Sequence, residues 1–397
     1  MLDDIDLTAL DRFAEGAPHE WFDRLRSEAP VYWNEEANGP GFWVLSRYAE
    51  VTGLNKNWRH FSSAAGITPE GQGADQELGM LTMDPPRQTR YRAVVSAHFM
   101  PRAIAGLEGR VRAAARELIE RFVALGGGDF VEAVAAPFPV RVICDWMGVP
   151  REDEGDVLRW SNAVVPNQDP EYWVSPEHAE EANRAFDVFA DDLVAAKRER
   201  PGDDLTTALV RARFDDRPLD ARELRAFVRL LVVGGAETTR HLISHALWAL
   251  TRHPEQRARF VSGEVDAAVA VEEMLRFASP VMHHARWATR DVEVAGQKIQ
   301  AGDRVTLWMV SANRDAAVFA KPHELDLGRQ PNHHVALGGG GPHFCLGAHL
   351  ARLETRVVLE ELRPHLEGLE LVEPPAVLRS SFFHGIKHLS LLRSAPR

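Results

Sequence analysis

Cys345 stands between four consecutive glycines, Gly338 to Gly341, and a stretch in which Leu346, Leu350, Leu353 and Val357 recur at helical spacing. Four glycines followed by Pro342 cannot form the interior of a helix or strand, so the backbone must make a tight loop lying close to something flat. The periodicity beyond the cysteine predicts a helix that starts there. A thiol at such a junction meets amide N–H groups and the positive end of a helix. Both favour the thiolate, the form that binds a metal. Two other uses compete: a structural cysteine in a glycine-rich loop, and a zinc site completed by His343 and His349. Structural zinc takes two or more cysteines, and the only other one, Cys144, lies in an apolar run.

A second place with chemistry in it lies upstream, with Thr238 107 residues before Cys345. Residues 222–252 read as one long helix ending at His253-Pro254, as a helix before proline should. At 1.5 Å per residue it is ~45 Å long, enough to cross a protein of this size. Its centre runs Leu230-Leu231-Val232-Val233-Gly234-Gly235-Ala236-Glu237-Thr238-Thr239. Each glycine costs about 1 kcal/mol against alanine inside a helix, and a buried glutamate needs partners. Local rules broken in mid-helix mark a functional site. The plainer alternative is glycine for close packing and threonine bonding back to a carbonyl.

The cysteine segment resembles the haem-binding loop of the cytochrome P450 family, Phe-Gly-x-Gly-x-His-x-Cys-x-Gly-x-x-Leu-Ala-Arg. It matches at Gly339, Gly341, His343, Cys345, Gly347, Leu350, Ala351 and Arg352; Leu337 stands one place upstream of the usual phenylalanine, with an extra glycine between. The helix centre resembles the family's oxygen-binding segment, Gly-x-(Asp/Glu)-Thr-Thr. The resemblance spans about residues 30 to 390. It implies a mainly α fold with small β-sheets, a triangular helical prism with haem b between the long distal helix and the cysteine-loop helix. It also implies one domain over residues 1–397, with a β-containing part at about 25–60 and a helical core at about 85–390. Cys345 would ligate the iron, a thiolate whose electron push favours O–O cleavage. Gly234 and Gly235 would open a groove for dioxygen, and Thr238 and Glu237 would be the alcohol–acid pair supplying protons.

Other positions acquire roles from the same resemblance. Gln88, Arg92, Arg286 and His343 would contact haem propionates, an arginine suiting a carboxylate through bidentate, charge-assisted bonds, and Gly347 would belong to the haem loop. Glu273 and Arg276, one helical face apart, would form a buried structural network with Arg329. The substrate pocket would draw on the loops 61–82 and 163–176, on Leu230, Val233, Gly234, Val281 and Met282, and on Phe382 and Phe383. These are mostly apolar, so an apolar substrate is expected. Phrases such as Asp169-Pro170-Glu171-Tyr172 and Phe383-His384-Gly385-Ile386-Lys387-His388 are similar to actinobacterial members acting on lipids, sterols or terpenoids. A tailoring hydroxylase or epoxidase of a polyketide or peptide scaffold is the rival, and a haem-based gas sensor or carrier the non-enzyme alternative. A sensor would not need Glu237 and Thr238, and a peroxide-driven member would lack them. His283 and His284 read as structural or pocket-lining.

The elements that must position these residues are legible in outline. Helical patterns cover roughly 87–98, 102–124, 136–147, 151–164, 177–198, 204–212, 220–252 and 264–276. Val31-Tyr32-Trp33 and Phe42-Trp43-Val44-Leu45 flank a turn at Asn38-Gly39-Pro40-Gly41 and read as a hairpin. Short strands are expected at Val292-Val294, Gln297-Ile299 and Val305-Leu307, and Gly126-Gly128 should end a helix.

Composition narrows the partners. With 45% hydrophobic and 26% charged residues the chain reads as an ordinary soluble protein. A net charge of −12 argues against nucleic acid or an anionic membrane. Two cysteines suit a reducing compartment, and the acidic start Met1-Leu2-Asp3-Asp4 is unlike a signal peptide, which predicts a cytoplasmic protein. No flavin, iron–sulfur or dinucleotide-binding segment is evident, so electrons are expected from a separate ferredoxin and its reductase. In the family that the chain resembles, the helix starting near Arg87 lies beside the cysteine loop; the resemblance therefore implies that Arg87, Arg90, Arg92 and Arg102, with His333, His334, His349 and Arg352, form a basic face that steers an acidic ferredoxin.

Overall fold

The computed structural model describes residues 2–71, 79–164 and 169–394. The chain divides into two compact units, each drawn from separate stretches of sequence. The first comprises Met1–Arg90, Glu272–Cys345 and Val377–Gly385; the second comprises Tyr91–Val271, Leu346–Ala376 and Ile386–Arg397.

The first unit is built on a five-stranded sheet in the spatial order Val31–Asn34, Phe42–Leu45, Arg304–Trp308, His283–Ala288 and Phe61–Ser62. The hairpin expected between the first two is present, with Val31 opposite Leu45. Arg304–Trp308 lies parallel to Phe42–Leu45 and antiparallel to His283–Ala288, where Val305 faces Arg286. Both β-branched and aromatic residues favour such pleated, half-buried surfaces. Leu45, Val305 and Leu307 pack on Val51 and Leu54 of the helix Tyr48–Lys56. Val292–Val294 and Gln297–Ile299 pair with one another in a separate ribbon.

The second unit is helical. Its longest element, Ala221–Arg252, starts with a capping box in which Asp220 accepts from the Glu223 amide at 2.9 Å and Glu223 accepts from the Asp220 amide at 2.9 Å. It stops at His253, before Pro254. Ala348–Leu362 buries Leu350, Leu353 and Val357, the residues whose spacing predicted it. One expectation fails locally. The predicted helix 102–124 is broken into Pro101–Ala105 and Glu108–Ala124, with Gly106, a poor helix former, at the break. Gly127 and Gly128 do more than end a helix. With Asp129 they form a strand against Ser390–Arg393, where a side chain on Gly127 would collide with the Leu391 carbonyl. Among the described residues no helix is long and apolar enough to cross a membrane.

Candidate active site

The cysteine loop is shaped by four left-handed glycines, Gly338, Gly339, Gly340 and Gly341, with φ of 98°, 60°, 95° and 82°. What lies against it among the protein's atoms is the end of the helix Tyr48–Lys56. A Cβ on Gly341 would strike the Asn55 carbonyl, and one on Gly340 would sit 3.1 Å from Lys56 Cε. Asn55 Nδ2 donates to the carbonyls of Gly338 and Gly340. Gln88, buried on the helix Arg87–Ser96, donates from Nε2 to the Pro342 carbonyl at 2.9 Å. The partner of this amide is therefore the loop itself. The Cys345 amide donates to the buried Leu337 carbonyl at 2.9 Å, so it holds the loop closed rather than pointing at its own sulfur. Cys345 is half-buried, two residues before Gly347, the N-cap of the helix Ala348–Leu362. The thiol thus stands at the positive end of a 15-residue helix. No atom outside its chain neighbours lies within 4 Å of a Cβ built on Gly347.

Arg286 sits on an interior strand with 4% of its surface exposed. Its guanidinium donates to the Ala285 carbonyl at 2.7 Å and to Asn55 Oδ1 at 3.1 Å. Burial pushes its pKa down to about 10, opposed by the charge of Asp84. Among the described residues no carboxylate hydrogen-bonds it, so a buried cation is left with neutral partners. That is the environment a carboxylate-bearing group would complete. His343 Nε2 lies 3.1 Å from Ser63 Oγ, beside Asp84, which accepts from the Ser63 amide at 2.9 Å. Arg92 is half-buried on the helix Arg87–Ser96, and Arg87, Arg90 and Arg102 are exposed.

Behind the loop, Glu273 and Arg276 are fully buried. Glu273 accepts from Arg276 at 2.8 Å through each oxygen, from Arg329 Nε at 3.0 Å, from the Asp326 amide at 3.0 Å and from Asn332 Nδ2 at 3.1 Å. Arg276 in turn donates to the carbonyls of Asn313, Pro322 and Glu324. Asn313 Oδ1 then accepts from the Val335 amide at 2.7 Å. One buried ion pair therefore fixes the chain leading into the glycine run. Such a pair is tolerable in the interior because every lone pair is matched.

In the second unit, Leu230, Val233, Gly234 and Thr238 all retain accessible surface in the middle of the helix Ala221–Arg252, whereas Leu231, Val232, Ala236, Glu237 and Thr239 are buried. Their spacing puts them on one face. Beside Gly234 a Cβ would meet only Leu230 Cδ1, at 3.8 Å, and beside Gly235 it would meet Ile143 at 3.7 Å. Neither glycine is demanded by close packing. Thr238 Oγ1 donates to the Gly234 carbonyl at 3.0 Å, leaving its lone pairs toward the open face. Glu237 is turned away and buried. Its Oε2 accepts from Arg240, its Oε1 has no protein partner, and burial raises its pKa against the lowering effect of Arg240.

The expected pocket residues separate. Val281 bridges Phe383, and Phe382 and Phe383 pack edge to face at 4.7 Å. Met282 is a correction. It is 1% exposed and belongs to the core with Phe13, Phe22 and Trp308, while its amide donates to the Phe382 carbonyl at 2.8 Å. Successive residues of an extended chain face opposite ways, so Val281 and Met282 do not share a surface. His283 and His284 are kept neutral by burial, His283 with its pKa down at about 3. The loop residues 72–78 and 165–168 lie outside the described residues.

Sequence reasoning missed Asn55, Arg240 and Asn162. Arg240 follows Glu237 at the same i, i+3 spacing that singled out Glu273 and Arg276, and could have been found by it. Asn55 carries no sequence signal.

Comparisons with known proteins agree with this geometry. Residues 169–367 match the family model described as Cytochrome P450. The methyl-branched lipid omega-hydroxylase of Mycobacterium tuberculosis is 40% identical, over 97% of this chain and 94% of its own length. Linalool 8-monooxygenase of Pseudomonas putida is 34% identical, over 98% of both chains. A Mycobacterium marinum cytochrome P450 solved in complex with pseudoionone superposes with a TM-score of 0.90 at 36% identity, over 96% of each chain.

Proposed function

Because this chain belongs to the cytochrome P450 family, whose members bind haem b, we propose that it hydroxylates a methyl-branched, mostly hydrocarbon lipid or terpenoid. It is a monooxygenase, incorporating oxygen from O2 with electrons from redox partners. The bound haem supplies the activation of dioxygen. Everything else falls to the side chains. We assign Cys345 as the thiolate ligand, held at a helix N-terminus by a loop that Asn55, Gln88 and Leu337 shape. Arg286 would neutralise a propionate, with Arg92 and His343 as further contacts. Thr238 would present its hydroxyl to the reacting oxygen, and Glu237 would carry protons inward from solvent.

The observation that carries the substrate class is the open stripe of Leu230, Val233 and Gly234 on the long helix, which offers hydrocarbon and no charge. An apolar wall of that kind recognises shape and gains from burying methyl groups. The relatives' names supply the class: a methyl-branched lipid and linalool. We propose one catalytic domain and assign it to the cytoplasm, where the Cys345 sulfur stays reduced. A separate ferredoxin and reductase would donate electrons, docking near the exposed Arg87, Arg90 and Arg102.

The test is a spectral titration of the purified ferric protein with linalool, pseudoionone, a methyl-branched fatty acid and a macrolide. Products are then identified after turnover with a surrogate ferredoxin and reductase. Displacement of the iron-bound water and hydroxylation by one of the first three is expected. A response to the macrolide alone would move the reading to natural-product tailoring.

A further inference from the structure

Glu237 does not stand alone in the helix Ala221–Arg252. Its Oε2 accepts from Arg240 Nη2, and the same guanidinium is held on two other sides. Arg240 Nη1 donates to Asn162 Oδ1 at 2.7 Å, from the helix Glu154–Val164. The guanidinium carbon lies over the Tyr172 ring, 5.6 Å from its centroid. Tyr172 belongs to a turn that is itself fixed. Its amide donates to the Asp169 carbonyl at 3.1 Å, and Asp169 and Glu171 accept from Lys387 Nζ at 3.1 and 2.9 Å. His241 completes the surroundings, with Nε2 3.8 Å from Glu237 Oε2. Arg240 is 4% exposed and Glu237 2%.

We infer that Arg240 is a positioning residue for Glu237, and that Tyr172 and Asn162 hold it there.

The argument is one of geometry and charge. A planar guanidinium has five N–H donors in a fixed fork. With one arm on Asn162 and a face on Tyr172, the other arm reaches one carboxylate oxygen and leaves Glu237 Oε1 for a proton. Burial raises the pKa of the carboxyl, and among the described residues the Arg240 guanidinium is the charge that opposes that rise, so Arg240 tunes how readily Glu237 gives up and regains a proton. A cation over an aromatic ring in a desolvated site is held more firmly than one in water.

The inference rests on reading Glu237 as the proton carrier, and the test separates the two. Wild type, Arg240→Gln, Arg240→Lys, Tyr172→Phe, Tyr172→Leu, Glu237→Gln and Glu237→Gln/Arg240→Gln are compared. Each is assayed as haem-loaded protein normalised to its reduced carbon-monoxide band. NADH oxidation and peroxide release are followed across pH, with pseudoionone and with no added compound. Expected for Arg240→Gln is a turnover about tenfold lower at nearly unchanged KM. The pH at which turnover falls moves up by about one unit, the shift a factor of ten in proton affinity produces. Arg240→Lys should return the pH profile but not the full rate. Tyr172→Phe should behave as wild type, and Tyr172→Leu should move the profile as Arg240→Gln does, by less. Arg240→Gln should add nothing in the Glu237→Gln background. If Glu237→Gln turns over normally, the proton-carrier reading itself falls. If Glu237→Gln is impaired but Arg240→Gln and Tyr172→Leu keep the wild-type pH profile, or change KM alone, the positioning role is overturned. Should Arg240→Gln fail to hold haem, Tyr172→Leu, at a half-exposed site, carries the decision.

Discussion

Arg286 and Asn55 are joined by a single 3.1 Å hydrogen bond from the guanidinium to Oδ1, and through it the buried cation is tied to the cysteine loop. The other end of the same amide donates to the carbonyls of Gly338 and Gly340. One asparagine therefore satisfies a charge on the central sheet and the backbone of the glycine run together. Replacing it with alanine removes a partner from two buried polar groups, the Gly338 carbonyl and the Arg286 guanidinium, each costing about 1–3 kcal/mol, and from the half-buried Gly340 carbonyl. Asn55→Ala should lower the melting temperature and weaken haem retention in a transfer assay to an acceptor apoprotein. Unchanged haem loss would show that the loop closes without it.

Cys345 is half-buried at the start of the helix Ala348–Leu362, whereas Cys144 is fully buried with its thiol pushed up to about 12 by burial. Cys144 is thereby kept a neutral thiol near neutrality. The reduced, carbon-monoxide-bound protein should show the red-shifted Soret band of thiolate ligation. Cys345→Ala should abolish it and Cys144→Ala should leave it intact. The same band in Cys345→Ala would remove the cysteine as ligand.

How far these features could be read in advance differs by kind. Short-range signals were legible: Cys345 in its glycines, the Glu237-Thr238 pair, and the i, i+3 spacing of Glu273 and Arg276. The Asp220–Glu223 capping box starts the long helix where its pattern begins. Contacts across hundreds of residues were not. Nothing local says that Arg304–Trp308 lies parallel to Phe42–Leu45, or that Asn55 reaches Gly340. Arg329 was reached only through a family resemblance. Met282 was misplaced because an apolar run bordering a pocket does not say which alternate residues face it. The glycine run carried two meanings at once: positive φ at every position, and room for the end of the helix Tyr48–Lys56.

Gly234 gives a prediction in which stability and activity part. A methyl there would meet only Leu230 Cδ1, at 3.8 Å. Gly234→Ala should therefore stabilise the helix by about 1 kcal/mol. The same methyl would project from the open face that carries Thr238. Product formed per NADH consumed should fall while the melting temperature rises. A variant that is both more stable and fully coupled would show that the gap beside Gly234 has no part in turnover.

His388 makes the turn at Asp169–Trp173 sensitive to pH. Its ring lies between two carboxylates, Nδ1 with Asp129 and Nε2 with Glu171 Oε1 at 2.8 Å. Partial burial lowers its pKa, but the two carboxylates outweigh that and raise it above the ordinary value of 6.5. A group whose folded pKa is raised contributes stability that is complete below the unfolded value and lost as pH climbs through the folded one. The clasp should thus be whole below pH 6.5 and loosen above it, with Lys387 still holding Asp169 and Glu171. Because His388 is 46% exposed, solvent screens the pair and the effect is confined to the turn. Hydrogen exchange of the Tyr172 and Trp173 amides, both bonded to the Asp169 carbonyl, checks this. After correction for intrinsic rates, protection should be greater at about pH 6 than at about pH 8. His388→Gln should remove the difference. Equal protection at both pH values in the wild type would mean that Lys387 alone holds the turn.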